Sequence, residues 1–248
     1  MLNKILKLCG IGFISLFFMQ ATQARVIKFA TEATYPPFVY VNNHGEIHGF
    51  DVDIAMAICE LLKFECTFTN QPWDSLIPSL QFGKFEALIG AISITPERQE
   101  KVLFTEPYYE NKADYVIPIN QPSLKIKEGT IIGVQAGTTL ADYLTETYGD
   151  KIKINRYASV EQAFLDLIAT RLDAVFGDQP VVIHWVKESG KKQFKLAEHV
   201  VHSPQYLGKG FGIAFRKDEP DLVEHFDFAL NQLKKDGTYQ RIYQHYFD

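Results

Sequence analysis

Strand-forming runs alternate with helix-forming ones along almost the whole chain, and no other feature restricts its fold as much. Val26 to Ala30 reads as a strand, and the segment from Asp51 as a helix. Glu65 to Asn70 follows as a strand, Trp73 to Gln81 as a short helix and Ala87 to Ala91 as a buried strand. The pattern resumes with strands at Tyr115 to Ile119, Ile131 to Gln135, Ile152 to Tyr157 and Ala174 to Phe176. Helices at Thr139 to Tyr148 and Val160 to Thr170 lie between the last three of these. Two helices end the chain, Pro220 to Lys235 and Thr238 to Phe247, with Asp236-Gly237 as the break. Such alternation predicts an α/β protein in which helices cover mostly parallel sheets. The strand count fits two half-sized units better than one long sheet. Two lobes are therefore expected, joined by crossings near Glu110 to Ala113 and near Val200 to Gln205, with a ligand crevice between them.

The run from Gly49 to Leu62 is the sharpest local signal. Asp51 is placed to cap a helix start, and Asp53 adds favourable charge to its first turn. Ile54, Ile58, Leu61 and Leu62 recur at helical spacing and predict one buried face.

The N-terminus reads as an export signal. Lys4 and Lys7 form a basic region, Ile11 to Met19 an apolar core, and Thr22-Gln23-Ala24 a small-residue cleavage site. Cleavage after Ala24 leaves a mature chain that starts at Arg25, expected to be soluble and periplasmic. The apolar stretch is short for a membrane anchor. Removing Lys4 and Lys7 makes the mature chain more negative than the −5 of the full sequence. An acidic surface argues against nucleic acid and anionic membranes as partners. Of the three cysteines, Cys59 and Cys66 remain after cleavage. In an oxidising compartment they are a candidate pair, the other reading being two buried thiols. Two cysteines exclude a four-cysteine zinc site, and no metal or cofactor is expected.

Four loops at strand ends carry ligand-binding chemistry. In the first, Pro36-Pro37 stiffens a turn that presents Glu32 and Tyr35; a plain surface turn is the other reading. The second runs from Ser93 to Gln99, where Arg98 offers a planar donor fork suited to a carboxylate. The third, Gln135-Ala136-Gly137-Thr138-Thr139, puts backbone N–H groups at a helix start, which favours an anion; Thr138 or Thr139 is equally readable as a cap. It lacks the lysine of a phosphate loop. The fourth, Gly177-Asp178-Gln179-Pro180, ends a buried strand in a carboxylate that needs a partner such as an α-ammonium. Capping a helix that starts at Val181 or Val182 is the alternative for Asp178. Trp73 and Tyr35 form an aromatic pair that could flank a cationic side chain.

The Gly-Phe-Asp-Val-Asp run at 49–53 resembles the signature of the bacterial family-3 extracellular solute-binding proteins, which capture polar amino acids. Further matches run from about Val26 to Phe247. They include Asp74 to Leu80, Ser93-Ile94-Thr95 with Arg98, Phe104 to Tyr109 and Asp236 to Tyr239. The resemblance is densest to the arginine- and histidine-type binders of ABC importers. It implies a two-lobed periplasmic-binding-protein fold, with lobe one from residues 25–111 and 203–248 and lobe two from 112–202. It favours a Cys59–Cys66 disulfide. It also implies a zwitterion trap: Arg98, Ser93, backbone around Gly90 and Ala91, and Thr138 or Thr139 for the α-carboxylate, and Asp178 for the α-ammonium. Glu32, Tyr35 and Trp73 would then hold a cationic side chain, arginine first, with lysine, ornithine and histidine behind it. Two departures bear on that preference: Gly90-Ala91 stand where related binders often carry serines, and Leu140 replaces a polar residue. The expected partner is an inner-membrane ABC permease, and the expected form a monomer.

A rival reading is a periplasmic enzyme of the same fold, resembling cyclohexadienyl dehydratase, with Glu32 or His184 as acid or base. The sequence shows no serine-nucleophile elbow, zinc-ligand spacing or phosphate loop. The expectation is therefore a binding protein and not an enzyme.

Overall fold

The computed structural model describes residues 25–190 and 192–248. The predicted export signal at 1–24 lies outside the described residues. Three sheets organise the described residues. The first places Val26–Thr31 between Glu65–Asn70 and Ala87–Leu88, both parallel to it. Ala214–Phe215 and Leu103–Phe104 then continue it antiparallel. In the second, Ile131–Gln135 lies between Lys153–Tyr157 and Ala174–Asp178, both parallel. Ala113–Pro118 and Phe194–Leu196 extend that sheet antiparallel. The third is a small antiparallel sheet of Thr34–Tyr35, Val39–Val41 and Ile47–His48.

Each large sheet is thus mixed. The parallel pairings belong to the strand–helix–strand units legible in the sequence. The antiparallel strands come from segments that pass between the sheets and back, and most are only two or three residues long. The two passages run side by side: Ala113 and Val201 exchange backbone hydrogen bonds of 3.0 and 2.8 Å.

Helices form where predicted, with local adjustments. Thr139–Tyr148, Pro220–Lys235 and Thr238–Phe247 match the expected bounds. The segment from Trp73 begins as a 3-10 turn over Trp73–Ser75 and becomes an α-helix at Leu76–Gln81. Val160–Ile168 ends two residues before the predicted Thr170. The helix read from Asp51 begins at Phe50, with Gly49 at the cap position, so Asp51 does not cap it. Gly49 lies at φ 134, and a Cβ there would stand 2.2 Å from the Phe38 carbonyl oxygen. Ile54 and Ile58 are fully buried as expected, but Leu61 is 44% exposed; Phe50, Ala55 and Cys59 complete the buried face instead.

Phe50 anchors the C-terminal helix. Its ring meets those of Tyr239, Tyr243, Tyr246 and Phe247 at centroid distances of 5.0–6.2 Å. On its other side stand Phe38, Tyr108 and Tyr109. The end of the chain is thereby packed against the helix Phe50–Leu62.

Cys59 and Cys66 are joined, with Cα atoms 6.3 Å apart, and tie the end of the helix Phe50–Leu62 to the strand Glu65–Asn70. Closing so short a loop contributes about 2–3 kcal/mol in the chain-entropy account. Replacing both cysteines with alanine should lower the denaturant midpoint by a corresponding amount. Added reductant should then have no further effect on the variant.

Candidate functional site

The loops expected to carry ligand chemistry meet between the two large sheets. Glu32, Tyr35, Trp73, Ala91, Ser93, Arg98, Thr138, Thr139 and Asp178 all line one internal cavity. Gly90 is buried directly beside Ala91 but does not itself line it. Gln135 and Leu140 complete the wall.

Several of these side chains bond across the cleft. The Tyr35 hydroxyl donates to Asp178 Oδ2. Gln135 Nε2 donates to Glu32 Oε2 at 2.7 Å and to the Ala158 carbonyl at 3.2 Å. The Trp73 indole N–H donates to the Gly137 carbonyl at 2.9 Å. The Ser93 and Thr139 hydroxyls stand 3.5 Å apart, and Asn111 Nδ2 donates to Ser93 Oγ at 3.2 Å.

Arg98 owes its position to the short helix Pro96–Lys101. Pro96 occupies the first helical position and Thr95 Oγ1 accepts the Arg98 backbone N–H, so the helix starts sharply beneath Ser93. The guanidinium then folds back, donating to the Ser93 carbonyl at 3.0 Å and lying 5.2 Å from the Trp73 ring. Burial draws its pKa below the ordinary arginine value, opposed by the charges of Asp142, Glu97 and Asp178.

Thr138 caps the helix Thr139–Tyr148. Its hydroxyl accepts from Ala141 N–H and donates to the Gln135 carbonyl, so that oxygen is already committed. Thr139 instead turns its hydroxyl toward Ser93. Asp178 stands at the cap position of Gln179–Trp185, yet its side chain makes no capping bond. It turns into the cleft, where Oδ1 is buried with no hydrogen-bond partner. Burial pushes the Asp178 carboxyl up to about 7, against the lowering effects of Tyr35, Asn111 and Arg98. Glu32 is likewise raised by burial, with the Gln135 bond opposing it.

The cavity measures ≈ 20 Å³, about the room of a single water molecule. A second groove of ≈ 560 Å³ opens outside it, and Trp73, Arg98 and Thr139 line both. An amino acid is far larger than the inner cavity.

The arrangement has two poles. Arg98, Ser93 and the start of the Thr139–Tyr148 helix present positive charge and donors. Asp178, Glu32 and Gln135 present carboxylates and an amide. Gln135 sits in the third loop, where the sequence alone gives it no role of its own. Asn111 carries no sequence signal; it reaches Ser93 because the passage between the sheets runs past the cleft.

The model of the bacterial extracellular solute-binding proteins, family 3, matches residues 27–248. ABC transporter arginine-binding protein 1 of Escherichia coli K12 is 43% identical over 97% of this chain and 98% of its own length. The histidine-binding periplasmic protein of the same strain is 34% identical over 90% and 87%. Among solved structures, a Salmonella typhimurium periplasmic binding protein described for its high arginine specificity superposes with a TM-score of 0.84. It is 38% identical and covers 91% of this chain and 100% of its own. The chain belongs to the family-3 bacterial extracellular solute-binding proteins.

The raised Asp178 carboxyl has a measurable consequence. Between its ordinary value of 3.8 and about 7 the native state holds a proton that the unfolded chain has released. Its contribution to stability is therefore complete below about pH 4 and lost as pH rises through 7. Asp178→Asn should flatten that part of the stability profile, as read from melting temperatures between pH 4 and 8. An unchanged slope would contradict the buried, partly unpartnered carboxyl.

Proposed function

We propose that the chain is the periplasmic arginine-binding component of an ABC amino-acid importer, delivering its ligand to an inner-membrane permease. The observation that carries this reading is the opposed polarity of one buried cavity. Arg98 stands on one side and the unpartnered Asp178 Oδ1 on the other, as a zwitterion requires. The α-carboxylate would take the Arg98 fork, the Ser93 hydroxyl and the N–H groups at the start of Thr139–Tyr148. The α-ammonium would take Asp178, displacing Tyr35. Each charge would then be buried against an opposite one, which offsets part of its desolvation cost.

The side chain would run toward Glu32 and Gln135. Glu32 supplies a buried carboxylate and Gln135 a carbonyl oxygen, while Trp73 and Tyr35 supply ring faces. A guanidinium suits this set better than an ammonium, since it is planar, weakly hydrated and able to pair in a fork. The family and the arginine-binding relatives support the same choice over an enzyme.

In this reading residues 25–111 with 203–248 form one lobe and 112–202 the other. The ligand first meets Arg98, Tyr35 and Trp73, and hinge bending at the paired passages then brings Thr139, Gln135 and Asp178 over it. The contacts now made across the cleft are those that the ligand would replace.

Calorimetric titration of the mature chain, unfolded and refolded to strip carried-over ligand, tests the proposal. Arginine should bind one-to-one and more tightly than lysine, ornithine, histidine or glutamine. Arg98→Ala should abolish binding with the fold intact, and Asp178→Asn should weaken it at least tenfold. Glu32→Gln should reduce the preference for arginine over glutamine. Retained affinity in a folded Arg98→Ala protein would overturn the assignment.

A further inference from the structure

A further groove, of ≈ 510 Å³, lies between the two large sheets and shares no lining residue with the inner cavity. Lys112 and Gln179 supply one wall. Lys112 directly precedes the strand Ala113–Pro118, Gln179 directly follows Ala174–Asp178, and the Gln179 N–H donates to the Lys112 carbonyl at 2.7 Å. This wall therefore belongs to the second large sheet. Lys209, Lys234 and the tyrosines of the C-terminal helix supply the other wall. Lys234 stands in the last turn of Pro220–Lys235, which packs on the antiparallel strands of the first sheet.

The charges around this groove are mostly of one sign. Lys112, Lys209 and Lys234 line it with a single carboxylate, Glu110, although the whole chain is acidic at −5. Glu110 is shared, standing 3.4 Å from Lys112 Nζ and 3.4 Å from His202 Nε2. Lys234 Nζ donates to the Pro107 carbonyl at 3.2 Å and lies 5.8 Å from the Tyr239 ring. Lys209 joins no ion pair among the described residues. An ammonium carries three N–H donors, so most of the donors here remain unspent.

The floor is aromatic and held in place. Tyr243 stacks between Tyr109 and Tyr239, at centroid distances of 6.0 and 6.2 Å, and the Tyr239 hydroxyl donates to the Tyr108 carbonyl at 2.6 Å. A concave surface with low-dielectric walls and charges of one sign concentrates the field of those charges. The lysines repel one another across it, which is unfavourable for the fold taken alone, and an anion between them reverses the sign of that interaction.

We propose that this groove binds a small polyanion, bearing phosphate or carboxylate groups, that bridges Lys112 on one wall to Lys209 and Lys234 on the other. Charge-assisted bonds from ammonium groups on both walls give it its hold. An anion gripped from both sides favours the arrangement in which the two sheets stand close together. By linkage it raises the affinity for the amino acid, and the amino acid raises the affinity for the anion by the same factor. That coupling rests on the amino-acid-binding reading; the anion site itself does not.

Calorimetric titration of the mature chain with pyrophosphate and with citrate, at an ionic strength held constant with sodium chloride, tests the site. At least one of the two should bind one-to-one, and the tighter of them tells whether phosphate or carboxylate groups fit. Lys112→Gln, Lys209→Gln and Lys234→Gln should each weaken that binding at least threefold. Lys195→Gln removes the same charge from a lysine outside the groove and should leave it within twofold. At saturating anion the arginine Kd should fall at least threefold. No heat from either anion overturns the proposal, as does an equal loss in Lys195→Gln. A loss confined to variants on one wall, or an unchanged arginine Kd, overturns the bridge. Anion binding without binding of any amino acid overturns the amino-acid reading and leaves the site standing; arginine binding without anion binding does the reverse.

Discussion

A charge taken out of water must find an opposite charge or a set of hydrogen bonds, and the cleft is built around that requirement. Arg98, Glu32 and Asp178 all lie at the junction between the two large sheets. Each meets part of its need through the protein: Arg98 through the Ser93 carbonyl, Glu32 through Gln135, Asp178 through Tyr35. None of these partners is a full counter-charge. The buried charges of the site are therefore only partly satisfied within the protein.

The cross-cleft bonds are few, and they run between neutral donors and carboxylates or between neutral groups. A ligand that supplied an ammonium and a carboxylate would offer full counter-charges in their place. Two passages hydrogen-bonded at Ala113 and Val201 connect the sheets, while the aromatic packing around Phe50 keeps the C-terminal helix fixed against the first loops.

Backbone geometry carries as much of the site as side chains do. Gly49 permits the close approach to the Phe38 carbonyl that starts the helix at Phe50 and brings Asp51 beneath Ala91. Thr95 and Thr138 each start a helix whose first turn faces the cavity. The residues that line the cavity depend on these starts, and a substitution far from the cleft can reach it through them.

Much of this was legible from the chain alone. Strand and helix periodicities determined the α/β class and the principal helices, because local burial patterns repeat at 2.0 and 3.6 residues wherever one face is covered. Loop chemistry at strand ends pointed to Glu32, Tyr35, Ser93, Arg98, Thr139 and Asp178, because strand ends are where such sheets present side chains to a crevice. The short antiparallel strands left too little sequence to register a period, and their pairing partners lie far along the chain. The choice between a capping and a cleft-facing side chain was not local either: Thr138 and Asp178 hold the same kind of position, yet one caps and the other faces Tyr35. That Asp51 reaches Ala91, that Gln135 reaches Glu32 and that Asn111 reaches Ser93 was decided only when distant segments packed together, since hydrogen-bond partners of buried groups are chosen by what lies within about 3 Å in space.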